Sequence, residues 1–212
     1  MGAVADLRGP TTTVVDGAGP GRGGHVASGA MLICHHDVTS PAAAVAVLRL
    51  QALADAGGHV AFRGLDVLGL ETTVPATLDQ LEQLPRYAPR AAELGLTMRR
   101  PRLRPPTLGV HLVADHAESL GLGASWRSAC LHAYWEDGAD LGDDELVADL
   151  AAAAGLDRAV VAALLADRPA RIALRRRMGT LRGRGVGGVP VLEYQGTLVS
   201  AELSDDDLRQ LT

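Results

Sequence analysis

The sequence predicts an α/β fold in which one sheet domain, assembled from both ends of the chain, is interrupted by an all-helical insertion. Three observations predict it. Near the start, "MLICHHD" (31–37), an apolar helical stretch and "HVAFRGLDV" (59–67) form a strand, helix, strand unit. From 71 to 185 the chain loses strand character. "GVPVLEYQGTLVSA" then returns to alternating apolar residues around Gln195 and Gly196.

"MLICHHD" is a short apolar run ending in polar groups, as in a buried central strand whose carboxyl end opens onto a site. From Pro41 to Ala56 the pattern is apolar nearly all round, interrupted by Arg49, Gln51 and Asp55, and Gly57 and Gly58 stop it. The second strand that follows implies parallel pairing through a right-handed crossover. Helix stops in the insertion fall at Pro85, the Pro-rich "RRPRLRPPT", Gly121 and Gly123, "EDGADLGDD", Gly155 and Pro169. Asp143 and Asp144 cap "ELVADLAAAAG" and favour its dipole. "SDDDLRQL" begins a last capped helix. The sheet domain is therefore assigned to 31–70 and 186–212, and the insertion to 71–185.

At 212 residues and 22.0 kDa the chain suits one domain, or one with a large insertion, and can bury a proper core. It is 47% hydrophobic, yet no apolar run approaches the ~20 residues that span a bilayer, so no membrane partner is expected. Residues 1–30 lack a continuous apolar stretch and are Gly-rich, which predicts a flexible leader and no secretory signal. A net charge of −5 argues against a general nucleic-acid binder. Cys34 and Cys130 form no C-x-x-C, a pattern that fits a reducing cytoplasm.

Several segments, in order over about 31–212, resemble the DsbA-like thioredoxin-fold family of 2-hydroxychromene-2-carboxylate isomerases, kappa-class glutathione transferases and FrnE-type proteins. "DVTSPAAA" (37–44) resembles its first strand and helix start, "RAAELGLTMRRPRLRPPTLGVHLVADHAESLG" its middle helices, "LHAYWEDGADLGDDELVADLAAAAGLD" its later ones, and "GRGVGGVPVLEYQG" the loop and proline before its closing hairpin. The resemblance implies a thioredoxin-like sheet domain interrupted by a helical domain, with the active cleft between them. It also implies that Pro190 is a cis-proline presenting the backbone of Val189 to a thiol or peptide ligand. The bland alternative is a trans proline opening a strand.

In the oxidoreductase branch, the positions matching Ser40 and Ala43 are cysteines. Disulfide exchange needs an attacking thiolate and a resolving partner, so a dithiol oxidase or disulfide isomerase is not expected. In the isomerase and transferase branch a serine precedes the proline, as Ser40 precedes Pro41 here, and its hydroxyl donates to the sulfur of a bound thiol. That implies glutathione, or mycothiol, as cofactor, with the helix N-terminus favouring the thiolate. Ser-Pro is equally an ordinary helix cap. Two departures stand out: Ala42 replaces the frequent aromatic, and "LVSAELSDDDL" replaces the features expected after the hairpin.

His35, His36 and Asp37 close the first strand, where alternation sends one histidine to the cleft and its neighbour into a helix. Either histidine is suited to move a proton near neutral pH, or is a hydrogen-bonded core residue. No ligand spacing supports a metal site. Thr107 and His111 fall where the resemblance implies a roof over the cleft, although Thr107 is also a plain N-cap candidate. Arg99, Arg100, Arg102 and Arg104 lie in a Pro-stiffened segment beside that roof, to hold a carboxylate or to sit solvated. Trp126, Cys130 and Tyr134 recur at helical spacing as a buried stripe, leaving Trp135 free to face the cleft.

The expected function is an isomerase-like or transferase-like enzyme of small aromatic or polyketide-like metabolites, in secondary metabolism and in the cytoplasm. Its partner is a small-molecule substrate, and a homodimer is implied because relatives often pair. The alternatives are a catalytically silent binding or assembly protein that has shed its thiols, and a single-thiol protein using Cys34.

Overall fold

The computed structural model describes residues 31–212, so the leader predicted over 1–30 lies outside the described residues. β1 (Leu32–His36) leads into α1 (Pro41–Asp55), β2 (Val60–Gly64), β3 (Val74–Pro75), α2 (Leu78–Glu93) and β4 (Leu103–Arg104). The helices α3 (Leu108–Ser119), α4 (Gly123–Trp135), α5 (Asp144–Ala153), α6 (Arg158–Ala166) and α7 (Arg168–Gly183) follow, before β5 (Val191–Tyr194), β6 (Thr197–Ser200) and α8 (Asp205–Leu211).

The main sheet runs β2-β1-β5-β6. β1 is parallel to β2, with Leu32 opposite Val60 and His36 opposite Gly64, and antiparallel to β5, with Cys34 opposite Leu192. The apolar "LICHH" is thus a central strand, and the two chain ends share one sheet. The β5–β6 turn has Gln195 at φ 49° and Gly196 at φ 79°, the pair of positive angles that a two-residue hairpin requires.

Alternation sorts the sheet's side chains into two cores. Leu32, Cys34 and Leu192 pack with α1 and the helices α3 to α6. Val191 and Leu198 face the other way, onto Leu65, Leu108 and Leu112 and onto Leu174 and Met178 of α7. α1 starts with Pro41 at its first position and buries Ala42, Ala43 and Ala44. Their small side chains let the helix lie close to the sheet, which is why its polar residues are so few.

Two features differ from the sequence reading. α2 runs straight through Pro85 and Pro89, although Pro85 reads as a stop. Each proline removes one N–H donor. Both lie on the exposed side, while Leu84, Tyr87, Ala88 and Ala91 pack inward. The insertion also contains a two-residue antiparallel ladder, Val74 opposite Arg104 and Pro75 opposite Leu103. It clips the segment after β2 to the chain entering α3, and buried Arg104 bonds Thr77 and Asp79 beside it.

The caps follow their local signals. Asp143, Asp157, Asp167 and Ser204 each accept N–H groups at the first turn of their helices. No helix among the described residues is long and apolar enough to cross a membrane.

Candidate functional site

The turn from β1 into α1 is fixed from several directions. Asp37 accepts hydrogen bonds from the Thr39 N–H (3.1 Å), the Thr39 hydroxyl (3.2 Å), the Val67 N–H and the Thr107 hydroxyl (both 3.3 Å). Gln80 of α2 donates to the Thr39 carbonyl and to Tyr134, whose hydroxyl donates to the Leu103 carbonyl. Trp135 donates from Nε1 to the Val38 carbonyl at 3.0 Å. The insertion therefore holds the turn that delivers Ser40.

Ser40 is the N-cap of α1, and its Oγ accepts the Ala43 N–H at 3.3 Å. That bond occupies a lone pair and leaves the hydroxyl proton without an acceptor among the described residues. The side chain thus caps the helix and keeps a donor to offer.

Beside the start of α1 lies a groove of about 860 Å³ between α1, α2, the Val189–Pro190 loop and the β6–α8 connection. The Val189–Pro190 bond is cis. Ala42, Val45 and Ala46 form one wall, and Gln83, Arg86, Tyr87 and Arg90 of α2 face them. Ion pairs tie the walls together: Arg86 to Glu202 (2.7 Å), Arg90 to Asp205 (2.9 Å) and Arg49 to Asp205 (2.7 Å). The Tyr87 hydroxyl donates to Glu202 at 2.9 Å. Arg49 is the main group holding the Asp205 carboxyl below its ordinary range. For Tyr87, partial burial and then its bond to Glu202 push the phenol up.

The residues singled out from sequence separate into distinct places. Val189 and Pro190 line the groove, whereas Ser40 is buried just before its Ala42 wall and does not line it. His35 points to the α7 side, where Nε2 lies 3.1 Å from Glu193 Oε2. Glu193 is also held by Arg184, which with His35 keeps its carboxyl low. His36, Asp37 and His111 line a small interior pocket of about 10 Å³ instead of the groove. His36 and His111 stack edge to face with centroids 5.7 Å apart, and His111 Nε2 lies 3.9 Å from Asp37 Oδ1. Burial lowers the pKa of both rings.

The expected roof is thus displaced inward. Thr107 and His111 are each 1% exposed, because α3 packs directly on the sheet and a Cβ at Gly64 would run into the His111 ring. Trp135, expected at the cleft, is 1% exposed and inside the core, because its indole N–H is needed by Val38. Arg99, Arg100 and Arg102 line a second hollow, separate from the groove. The groove residues Arg49, Arg86, Tyr87 and Arg90 were missed. The signal for the α2 arginines is the i, i+3, i+7 spacing of Gln83, Arg86 and Arg90, visible once the helix is carried past Pro85. Asp66 was also missed; it follows β2 as Asp37 follows β1, and burial, then Asp37, raises its pKa.

No cysteine lines the groove. Cys34 and Cys130 are both free and buried, and burial pushes the Cys34 thiol up to about 12. Neither should react with iodoacetamide at pH 8 in the native protein, and both should react in denaturant. Intact mass would check this, and one native adduct would return Cys34 to consideration as a working thiol.

Comparison with known proteins follows the same architecture. The family model of the DSBA-like thioredoxin domain matches residues 36–210. No curated protein sequence matches significantly. Among solved structures, a probable DsbA oxidoreductase from Streptomyces coelicolor is 24% identical with a TM-score of 0.72, over 85% of this chain and 87% of that one. A 2-hydroxychromene-2-carboxylate isomerase is 20% identical with a TM-score of 0.68, over 85% and 92%. The cytosolic disulfide reductase DsbM from Pseudomonas aeruginosa, solved with GSH, is 18% identical with a TM-score of 0.57, over 85% and 96%. At these identities the likeness is one of fold.

Proposed function

The chain belongs to the DSBA-like thioredoxin domain family, and from that premise we propose that it is an isomerase- or thiol-transferase-type enzyme of small aromatic or polyketide-like metabolites, working in a reducing cytoplasm without dithiol redox chemistry. The observation that carries the reading is a groove whose α1 wall begins at Ala42, two residues after the Ser40 cap, and whose lining holds no thiol. A bound thiol cofactor, glutathione or mycothiol, would supply the nucleophilic sulfur that the chain lacks. The residues present fit such a ligand. Arg86 and Arg90 suit the carboxylates of glutathione, Glu202 and Asp205 suit its ammonium or the hydroxyls of mycothiol, and the backbone of Val189 lies beside the cis-proline.

Ser40 offers its free hydroxyl proton at the N-terminus of α1, where the Ala42 N–H and the helix dipole favour an anion. Within the groove, Tyr87 and Glu202 form the hydrogen-bonded acid and base pair that can hold or move a proton. His36 stays neutral through burial behind the same turn, edge to face with His111.

A second reading has its own observation: the groove walls are already tied by Arg86–Glu202 and Arg90–Asp205, as in a binding protein that has lost its chemistry. Thermal-shift titration with glutathione, mycothiol and aromatic carboxylates separates the two. The enzyme reading expects a thiol to raise the melting temperature, and the silent-scaffold reading expects no thiol effect. Ser40→Gly tests the hydroxyl, because glycine caps nearly as well as serine. It should leave stability within about 0.5 kcal/mol and lower turnover about 100-fold. Unchanged turnover in Ser40→Gly would remove Ser40 from the chemistry.

A further inference from the structure

The hollow that contains Arg99, Arg100 and Arg102 has no part in the groove chemistry. It encloses about 590 Å³ between the segment entering β4 and the C-terminal end of α4, with Tyr134, Trp135 and Gly138 among its lining residues. We propose that it is a separate binding site for a small hydroxylated anion, either a phosphorylated or a polycarboxylate molecule.

The first support is charge left unused. Most arginines of the described residues face a carboxylate, including Arg49, Arg86, Arg104 and Arg127. Arg99, Arg100 and Arg102 form no ion pair with a described residue, yet all three line one concave space. In a chain of net charge −5, three adjacent guanidinium groups without an ion-pair contact are a local reversal of sign, with only Arg99 near enough to a carboxylate, that of Glu136, to help lower its pKa. Planar guanidinium groups bind phosphate and carboxylate oxygens in bidentate fashion.

The second support is rigidity. The Arg99 N–H donates to the Trp135 carbonyl (3.0 Å), the Tyr134 hydroxyl to the Leu103 carbonyl (2.8 Å), and the Arg102 carbonyl accepts the Ala76 N–H (3.0 Å). Pro101 is buried, and β4 pairs with β3 immediately after Arg102. The backbone carrying the three arginines is therefore fixed before a ligand arrives, which lowers the ordering cost of binding.

The third support is the opposite rim. Glu136 is occupied by the Thr97 N–H at 2.8 Å and by His132 at 3.2 Å. Asp137 is exposed and has no side-chain partner among the described residues, so it is placed to accept a hydrogen bond from a ligand hydroxyl. Three cations facing one free carboxylate select an anion that also carries a donor.

Calorimetric titration with inorganic pyrophosphate and with citrate tests this on the full chain, at low and moderate salt. Saturable binding of either probe is expected, weakened by salt, with Trp135 fluorescence changing in step. Which probe binds more tightly distinguishes a phosphoryl ligand from a polycarboxylate. R99Q/R100Q/R102Q should weaken binding by about tenfold or more, with an unchanged circular dichroism spectrum. R86Q/R90Q, in the other groove, should leave it unchanged. The site is refuted if neither probe binds at millimolar concentration, if the triple variant binds as well as the parent, or if only R86Q/R90Q abolishes binding. None of these readouts depends on thiol turnover, so failure here and failure of the groove chemistry are distinguishable.

Discussion

Trp135→Ala should destabilise the protein by about 3–5 kcal/mol, measured by urea denaturation followed by circular dichroism. The side chain is 1% exposed and packs edge to face on Tyr134 with centroids 4.9 Å apart, so its removal leaves a cavity that neighbours on two sides cannot fill. The indole also serves a second purpose, since its N–H is the donor for the Val38 carbonyl in the turn before Ser40. Trp135→Phe separates the two: it keeps most of the buried ring but leaves that carbonyl unpaired, at a cost of about 1–3 kcal/mol. Because Gln80 holds the Thr39 carbonyl of the same turn, Trp135→Phe loosens the turn without unfolding it. If the enzyme reading is right, Trp135→Phe should lower kcat more than it raises KM, as expected of a residue that positions Ser40. A loss under about 1 kcal/mol in Trp135→Ala would show that the insertion does not hold the turn.

Much of this was legible because it is local. The cap at Asp143, the hairpin at Gln195–Gly196 and the stop at Gly57 each depend on one or two residues whose backbone preferences decide the outcome. The doubly buried β1 was legible for the same reason, as a run of apolar residues too short for a helix. The β3–β4 ladder was not, because two residues in each strand carry no period and their partner lies about thirty positions away. α2 was obscured by Pro85, whose local penalty is outweighed by packing on α1 and the core. For His35 and His36, alternation fixed that they point to opposite faces, but not which face is open. In the fold neither opens onto the groove: one meets Glu193 and the other packs beside His111 at a small interior pocket. Thr107 held its place before α3, while its hydroxyl went to Asp37 instead of capping. The groove itself draws on α1, α2, the cis-proline loop and the β6–α8 turn, so its charge pattern emerges only when those segments meet.

Burial of His36 and His111 leads to the second large effect, a loss of stability on mild acidification. Burial is the main cause that lowers the pKa of His36, and His111, Arg127 and His35 add to it. Burial also lowers that of His111, with a smaller push from Arg177, against the opposing carboxylates of Asp37, Asp66 and Asp115. Both rings are therefore neutral in the fold at a pH where the unfolded chain, with ordinary histidines near 6.5, has begun to take up protons. The unfolded state binds more protons, so stability falls as pH drops through 6.5 and continues to fall toward the lowered native values. Each histidine contributes a slope of up to about 1.4 kcal/mol per pH unit. Asp66 works in the opposite sense, since its raised pKa lets the fold keep a proton that the unfolded chain releases, but its effect begins from the carboxylate range. Urea midpoints taken from pH 7.5 down to 5.5 should thus decline steadily. His111→Gln removes one titrating ring, whose two nitrogens have no hydrogen-bond partner, and should flatten the decline even if it lowers stability at pH 7.5. A flat profile in the parent, or an equally steep one in His111→Gln, would mean that burial does not hold these histidines neutral.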